Sequence, residues 1–125
     1  MSDFAAATVI IENAKEEVLL LKRGATAPWM PGKWNLPGGG PDEAETPMDT
    51  ATREALEETG LAVNILRYVA KEWVEGDGWV YTYHTKVFTG TVTLDPENSE
   101  YAWVAKSKLR NYDIVPGIQK ALRLV

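Results

Sequence analysis

The chain has 125 residues, 45% of them apolar, no cysteine and a formal net charge of −5. That is enough for one compact core and leaves little room for a second domain, so residues 1–125 read as a single unit. It excludes a disulfide frame, a thiol nucleophile and a thiolate metal site, and it argues against a nucleic-acid polymer as partner, because polymer binding needs a basic footprint.

A small phosphorylated ligand remains open, since a few local cations or a bound metal can outweigh the mean charge. No stretch reaches the apolar length of a membrane span. Met1 to Ala7 lack the basic start of a signal peptide. The expectation is a soluble, cytoplasmic protein that does not engage membranes.

Phe4 to Ile11 is apolar and rich in small and β-branched residues, which predicts a strand. Glu17 to Lys22 predicts a second, with Asn13-Ala14-Lys15-Glu16 as the turn between them. Gly24 to Gly32 carries two prolines and two glycines and reads as loop. Lys33 to Leu36 is a short strand before the break at Pro37-Gly38-Gly39-Gly40-Pro41.

A helix follows from Pro47 to Thr59. Thr46 is placed to cap it, Pro47 suits the first helical position, and Asp49 completes a capping box. Gly60 stands where a left-handed residue ends the helix. Leu61 to Val74 reads as strand, Glu75-Gly76-Asp77-Gly78 as turn, and Trp79 to Phe88 as a long strand. Tyr101 to Ala105 is a short strand and Val115 to Leu124 a C-terminal helix. Strands with one central and one terminal helix give an α+β class, an α/β/α sandwich around a mixed sheet.

On the predicted helix, Glu54, Glu57 and Glu58 are spaced i, i+3, i+4, within an arc of roughly 100°. Met48, Thr52, Ala55 and Thr59 fall on the opposite side and are expected to pack inward. Three carboxylates on one face repel one another. A hard divalent cation offsets that repulsion, since Mg²⁺ prefers carboxylate and water oxygens and bridges to phosphates. Arg53 adds a fixed positive charge beside them. An isolated E-x-x-E-E is usually a solvated surface. Here a glycine-rich turn lies just upstream, of the kind that brings backbone close to a metal or phosphate.

Gly39, Glu45 six residues on, and Arg53-Glu54-Ala55-Leu56-Glu57-Glu58-Thr59-Gly60-Leu61 match the pattern G-x5-E-x7-R-E-U-x-E-E-x-G-U, with U aliphatic. All seven fixed residues are present, and a chance match is on the order of 10⁻⁹ per starting position. The chain thus resembles the Nudix hydrolases, and in particular their small MutT-like nucleotide pyrophosphohydrolases. Leu19 to Arg23, Trp34 to Gly39 and Tyr101-Ala102-Trp103-Val104 look like the family's flanking strands. Two departures are Ala55 at an aliphatic position and Ala44 where many members carry glycine.

The resemblance implies that Glu54, Glu57 and Glu58 bind Mg²⁺ or Mn²⁺, with the Gly38 carbonyl as an extra ligand. Arg53 would hold a glutamate in place and Glu45 would support the loop or a metal-bound water. The reaction implied is attack of water on a phosphorus of a diphosphate bridge. Family members differ in the general base: Glu57 is the candidate within the motif, and Glu97 and Glu100, in the loop before Trp103, are the later ones.

For the substrate, Arg23 resembles a substrate-contacting arginine of members that hydrolyse nucleoside triphosphates, with Lys22 beside it. Trp29, Trp34, Trp79 and Tyr81 are the aromatic faces on which a base could stack, although half or more of such rings serve packing. Gly39 would approach the phosphates, and Asn111 and Asp113 precede the last helix, where related proteins often read the base. His84, the single histidine, reads as a packing or surface residue.

The leading expectation is hydrolysis of a nucleoside triphosphate to a monophosphate and pyrophosphate. Members acting on ADP-ribose often carry an extra N-terminal segment, which the short chain disfavours here. The alternatives are a nucleotide sugar or dinucleoside polyphosphate, and a Nudix-fold binding module without catalysis. Such modules usually lose motif glutamates, all of which are present here. The small-molecule nucleotide is the expected partner, and the chain is expected as a monomer or homodimer.

Overall fold

A computed structural model describes residues 4–64 and 66–125. The elements are β1 (Phe4–Ile11), β2 (Glu17–Arg23), β3 (Trp34–Asn35), β4 (Gly38–Gly39), α1 (Pro47–Thr59), β5 (Ala62–Asn64), β6 (Arg67–Val74), β7 (Gly78–Thr85), β8 (Val87–Thr89), β9 (Asn98–Ala105), a 3-10 helix (Lys106–Asn111) and α2 (Gln119–Arg123).

A mixed sheet runs in the order β4-β1-β7-β6. Its centre is the parallel pair β1 and β7, in register from Ala6 opposite Val80 to Ile11 opposite Thr85. An antiparallel sheet β3-β2-β9 and a ribbon β5-β8 complete the strands.

Alternation along the strands builds two cores. Ala7, Val9 and Ile11 of β1 join Leu19 and Leu21 of β2 and Ala51 and Ala55 of α1. Ile10 of β1 joins Val18 and Leu20 of β2, together with Leu109, Ile118 and Leu122. Residues of opposite parity point to opposite faces, so helical segments cover both sides, which is the expected α/β/α arrangement. Among the described residues, no helix is long and apolar enough to cross a membrane.

The turn at 13–16 forms because the Asn13 side chain accepts from the backbone N–H of Lys15 and Glu17. At α1 both halves of the capping box are present, and Gly60 closes the helix at φ 74°, donating to the Leu56 carbonyl. The inward face of α1 differs from expectation. Thr50, Ala51, Ala55 and Thr59 are buried, whereas Met48 and Thr52 are exposed. The helix rests on β1 and β4 through its small residues, which allow close approach, and the longer Met48 is left at the rim.

The expected strand over 61–74 is divided into β5 and β6, with residue 65 outside the described residues. The expected strand over 79–88 divides at Lys86, because β8 leaves β7 to pair with β5. β9 starts at Asn98, three residues earlier than expected, by pairing with β2. The last helix is shorter than expected: Gly117 at φ 102° cannot be helical, and a Cβ there would lie 2.9 Å from Val74 Cγ2.

Candidate active site

The first two glycines of the run at 38–40 are forced by close packing. A Cβ on Gly38 would lie 2.4 Å from the Ala7 carbonyl oxygen, and one on Gly39 would lie 2.3 Å from Glu54 Oε2. Both glycines pair with β1, at Thr8 and Ala7. The missing side chains let the turn lie directly on α1, with Gly38 N–H donating to Glu58 Oε1 at 2.7 Å.

Arg53 gathers the remaining charges. Its Nε donates to Glu45 Oε2 at 2.7 Å, and Nη1 donates to Glu54 Oε1 at 2.6 Å and Glu57 Oε2 at 2.9 Å. Nη2 donates to Glu45 Oε1 and to the Gly40 carbonyl, both at 3.0 Å. The Arg53 guanidinium, then the Asp42 N–H and the Thr50 hydroxyl, hold the Glu45 carboxyl down at about 2. Glu45 thereby fixes both the loop and the arginine, and Arg53 is held firmly in its charged form.

The other glutamates behave differently. Burial pushes the Glu54 carboxyl up, against the pull of Arg53. Burial, reinforced by the charges of Glu54 and Asp95, pushes Glu58 up to about 8, although Gly38 and Asn98 donate to it. Glu57 remains exposed. Among the described residues, no three acidic or histidine side chains converge as a ready-made cation cage; Glu54 and Glu57 are turned onto Arg53. The donor set still fits a hard divalent cation. It is all oxygen, and it includes the half-buried Glu58 carboxylate, whose neighbours are other carboxylates and neutral donors and whose charge a cation would balance.

Beside the glycine turn lies a cavity of about 470 Å³, lined by Arg23, Trp29, Asn35, Gly38, Gly39, Val80 and Ile118 among others. Arg23 stacks over Trp29 at 5.4 Å, and its Nε donates to the Trp29 carbonyl. A guanidinium and an aromatic face thus stand at one wall, and the turn that touches Glu58 stands at another. Arg23 and Gly39, two of the substrate-site candidates, both line this cavity.

Trp34, Tyr81 and Asn111 do not line this cavity. Trp34 packs edge-on against Tyr112 at 5.0 Å in the core. Tyr81 belongs to the core under α1, on the opposite face of β7 from Val80, and meets Phe4 edge-on at 5.5 Å. Asn111 is exposed at the end of the 3-10 helix, and Asp113 is bound to Lys33 at 2.9 Å.

Glu100 lies within β9 rather than in a loop, 3.6 Å from Lys22 Nζ. Glu97 sits in the preceding turn, its carbonyl accepting from Gly24 N–H. His84 is buried and bonded to Glu12 at 2.8 Å. Sequence reasoning passed over Asn35 and Asp77, which line the cavity, and Asp95 and Asn98, which reach Glu58. Polar residues in short strands and turns carry no spacing signal of their own.

The sequence matches the NUDIX domain family over residues 3–125. A Mycobacterium tuberculosis protein provisionally named 8-oxo-dGTP diphosphatase 3 is 36% identical over 107 residues. That alignment covers 79% of this chain and 49% of the relative, so the chain spans about half the length of that curated relative. A Klebsiella pneumoniae protein named nucleoside triphosphatase NudI is 32% identical over 120 residues, covering 84% of each. The crystal structure of a MutT NUDIX hydrolase from Burkholderia pseudomallei superposes with a TM-score of 0.82 at 25% identity, over 96% of this chain and 95% of that one.

Proposed function

Because the chain belongs to the NUDIX domain family, we propose that it is a divalent-metal-dependent hydrolase of phosphoric anhydrides that converts a nucleoside triphosphate to a monophosphate and pyrophosphate. The observation that carries this reading is the half-buried carboxylate of Glu58, which accepts from Gly38 N–H and faces the charges of Glu54 and Asp95, next to a cavity that Gly38 and Arg23 line.

Glu54, Glu57, Glu58 and the Gly38 carbonyl would hold Mg²⁺ or Mn²⁺. When bound, the cation supplies charge to neutralise the phosphate oxygens and to acidify a water. Arg53 keeps Glu54 and Glu57 on the helix face that meets the loop, and Glu45 keeps Arg53 there. Arg23 binds the phosphate chain and Trp29 offers a face for the base. A water oxygen bonds to the struck phosphorus, the bridging P–O bond breaks, and pyrophosphate leaves with the bridging oxygen. Glu57, the most exposed of the three glutamates, takes the proton of that water, with Glu100 as the control for the later position.

The names of the relatives, a nucleoside triphosphatase and an 8-oxo-dGTP diphosphatase, support a triphosphate over a nucleotide sugar. The test is hydrolysis of a nucleotide panel in ¹⁸O-labelled water, with and without EDTA. Monophosphate and pyrophosphate are expected, with activity lost to EDTA and restored by Mg²⁺ or Mn²⁺. Orthophosphate as the first product, or activity confined to nucleotide sugars, rejects the triphosphate reading. Full turnover in verified metal-free protein rejects the mechanism.

A further inference from the structure

The segment between β8 and β9 makes contacts that reach the acidic helix. Thr93 N–H donates to the Thr59 carbonyl at 2.8 Å, and Asp95 N–H donates to the Glu58 carbonyl at 3.2 Å. Both carbonyls belong to the last turn of α1, where the helix itself supplies no donors. Asn98, the first residue of β9, is buried at 9% exposure. Its Nδ2 donates to Asp95 Oδ1 at 2.9 Å and reaches Glu58 Oε2 at 3.5 Å. Both neighbours are carboxylate oxygens, so the nitrogen end of the amide, not its oxygen, faces them. The other Glu58 oxygen accepts from Gly38 N–H. The backbone of Asn98 stands opposite Arg23 in the β2–β9 register, so the same residue adjoins the cavity wall.

We propose that Asn98 is a positioning residue for Glu58: its amide, pinned by Asp95, sets the plane of the Glu58 carboxylate between two neutral donors, so that the carboxylate is aimed without a fixed cation taking the place of a divalent one. This rests on the reading of Glu58 as a metal ligand given above. The neutrality of the donor is the point. A lysine or arginine at residue 98 would neutralise Glu58 and compete with the cation. An aspartate of the same shape would repel both Asp95 and Glu58 and could donate to neither. Outer partners of a ligating carboxylate commonly matter by about 10–100-fold in metal affinity or activity.

The experiment measures Mn²⁺ binding without nucleotide, by loss of the free-ion paramagnetic resonance signal, in wild type, Asn98→Ala, Asn98→Asp, Asn98→His and Glu58→Gln. Thermal unfolding serves as the fold control. Asn98→Ala is expected to weaken Mn²⁺ binding about 10–100-fold and Asn98→Asp by more, with the nucleotide KM at saturating metal within about twofold of wild type. Asn98→His, which restores a neutral donor, should recover part of the loss. If Asn98→Ala does not fold, the isosteric Asn98→Asp carries the same comparison. Wild-type Mn²⁺ affinity in the Asn98 variants while Glu58→Gln abolishes binding overturns the role of Asn98 alone. Wild-type affinity in Glu58→Gln as well overturns the ligand reading of Glu58, and this inference with it.

Discussion

Two glutamates in this protein, buried Glu12 and half-buried Glu58, have surroundings of opposite sign. Glu12, at the end of β1, is 1% exposed and lies beside two cations, Lys106 Nζ at 3.1 Å and Lys86 Nζ at 3.8 Å, and the His84 ring, whose Nε2 is 2.8 Å away. Burial works against its ionisation, but Lys106 and His84 outweigh it, and its carboxyl ends below the ordinary range. Glu58 is held by a backbone N–H and an amide, faces the charges of Glu54 and Asp95, and rises to about 8. Burial of an acid is therefore not by itself a mark of function. What separates the two is whether the fold supplies the countercharge or leaves it to come from outside.

The largest expected effect is a crossed pair of substitutions. Glu58→Gln should lower turnover by at least ~10²-fold while leaving the unfolding midpoint of the metal-free protein unchanged or higher. Glu12→Gln should do the reverse. It removes the charge that partly exposed Lys106 and Lys86 approach and weakens the bonds to it, which costs about 2 kcal/mol of stability, with turnover per folded molecule within about twofold of wild type. Denaturant melts and steady-state rates on the same preparations decide it. Matching profiles for the two variants would erase the distinction.

The same contrast has a pH signature of intermediate size. Glu58 has its folded value raised from 4.5 to about 8. In metal-free protein its stabilising contribution is fully present below 4.5 and is lost as pH climbs through about 8. Glu12 is lowered, so its contribution is present above 4.5 and is lost as pH falls through its folded value. Midpoints measured from about pH 4 to 9 should therefore flatten on the alkaline side in Glu58→Gln and on the acid side in Glu12→Gln. A flank that keeps its slope in the matching variant assigns that slope to another group.

The smallest effect tests strain rather than charge. Glu12 sits at the end of a regular strand, whereas the loop that leads into α1 holds Ala44 at φ 64°, a left-handed conformation that costs an L-residue roughly 1–2 kcal/mol. Ala44→Gly should raise stability by about 1 kcal/mol with turnover little changed. No gain in the melting midpoint would show that the neighbours of Ala44 already absorb that strain.

Much of this was legible in the chain. Thr46, Pro47, Asp49 and Gly60 bounded α1 correctly because caps act locally, on residues within one turn. The spacing of Glu54, Glu57 and Glu58 placed them on one face for the same reason. The register of that helix was less legible. Met48 and Leu56 are exposed at 44% and 53%, and their apolar identity gives no hint that small Ala51 and Ala55 set the contact. The separation of β5 from β6 and the division at Lys86 come from β5 pairing with β8, a long-range choice that alternation cannot announce. Asn98 was illegible because its importance lies in a partner 40 residues away.

The Arg53 guanidinium ties the Gly40 carbonyl, 13 residues back, and the Glu45 carboxylate to the helix, closing the loop without a covalent bridge in a chain that has no cysteine. Such a closure is set by ionic strength and not by oxidant or reductant. Its arginine and glutamate are only 23% and 16% exposed, so even salt reaches it weakly. The loop should therefore keep its shape through a change of redox surroundings that would open a disulfide-closed counterpart.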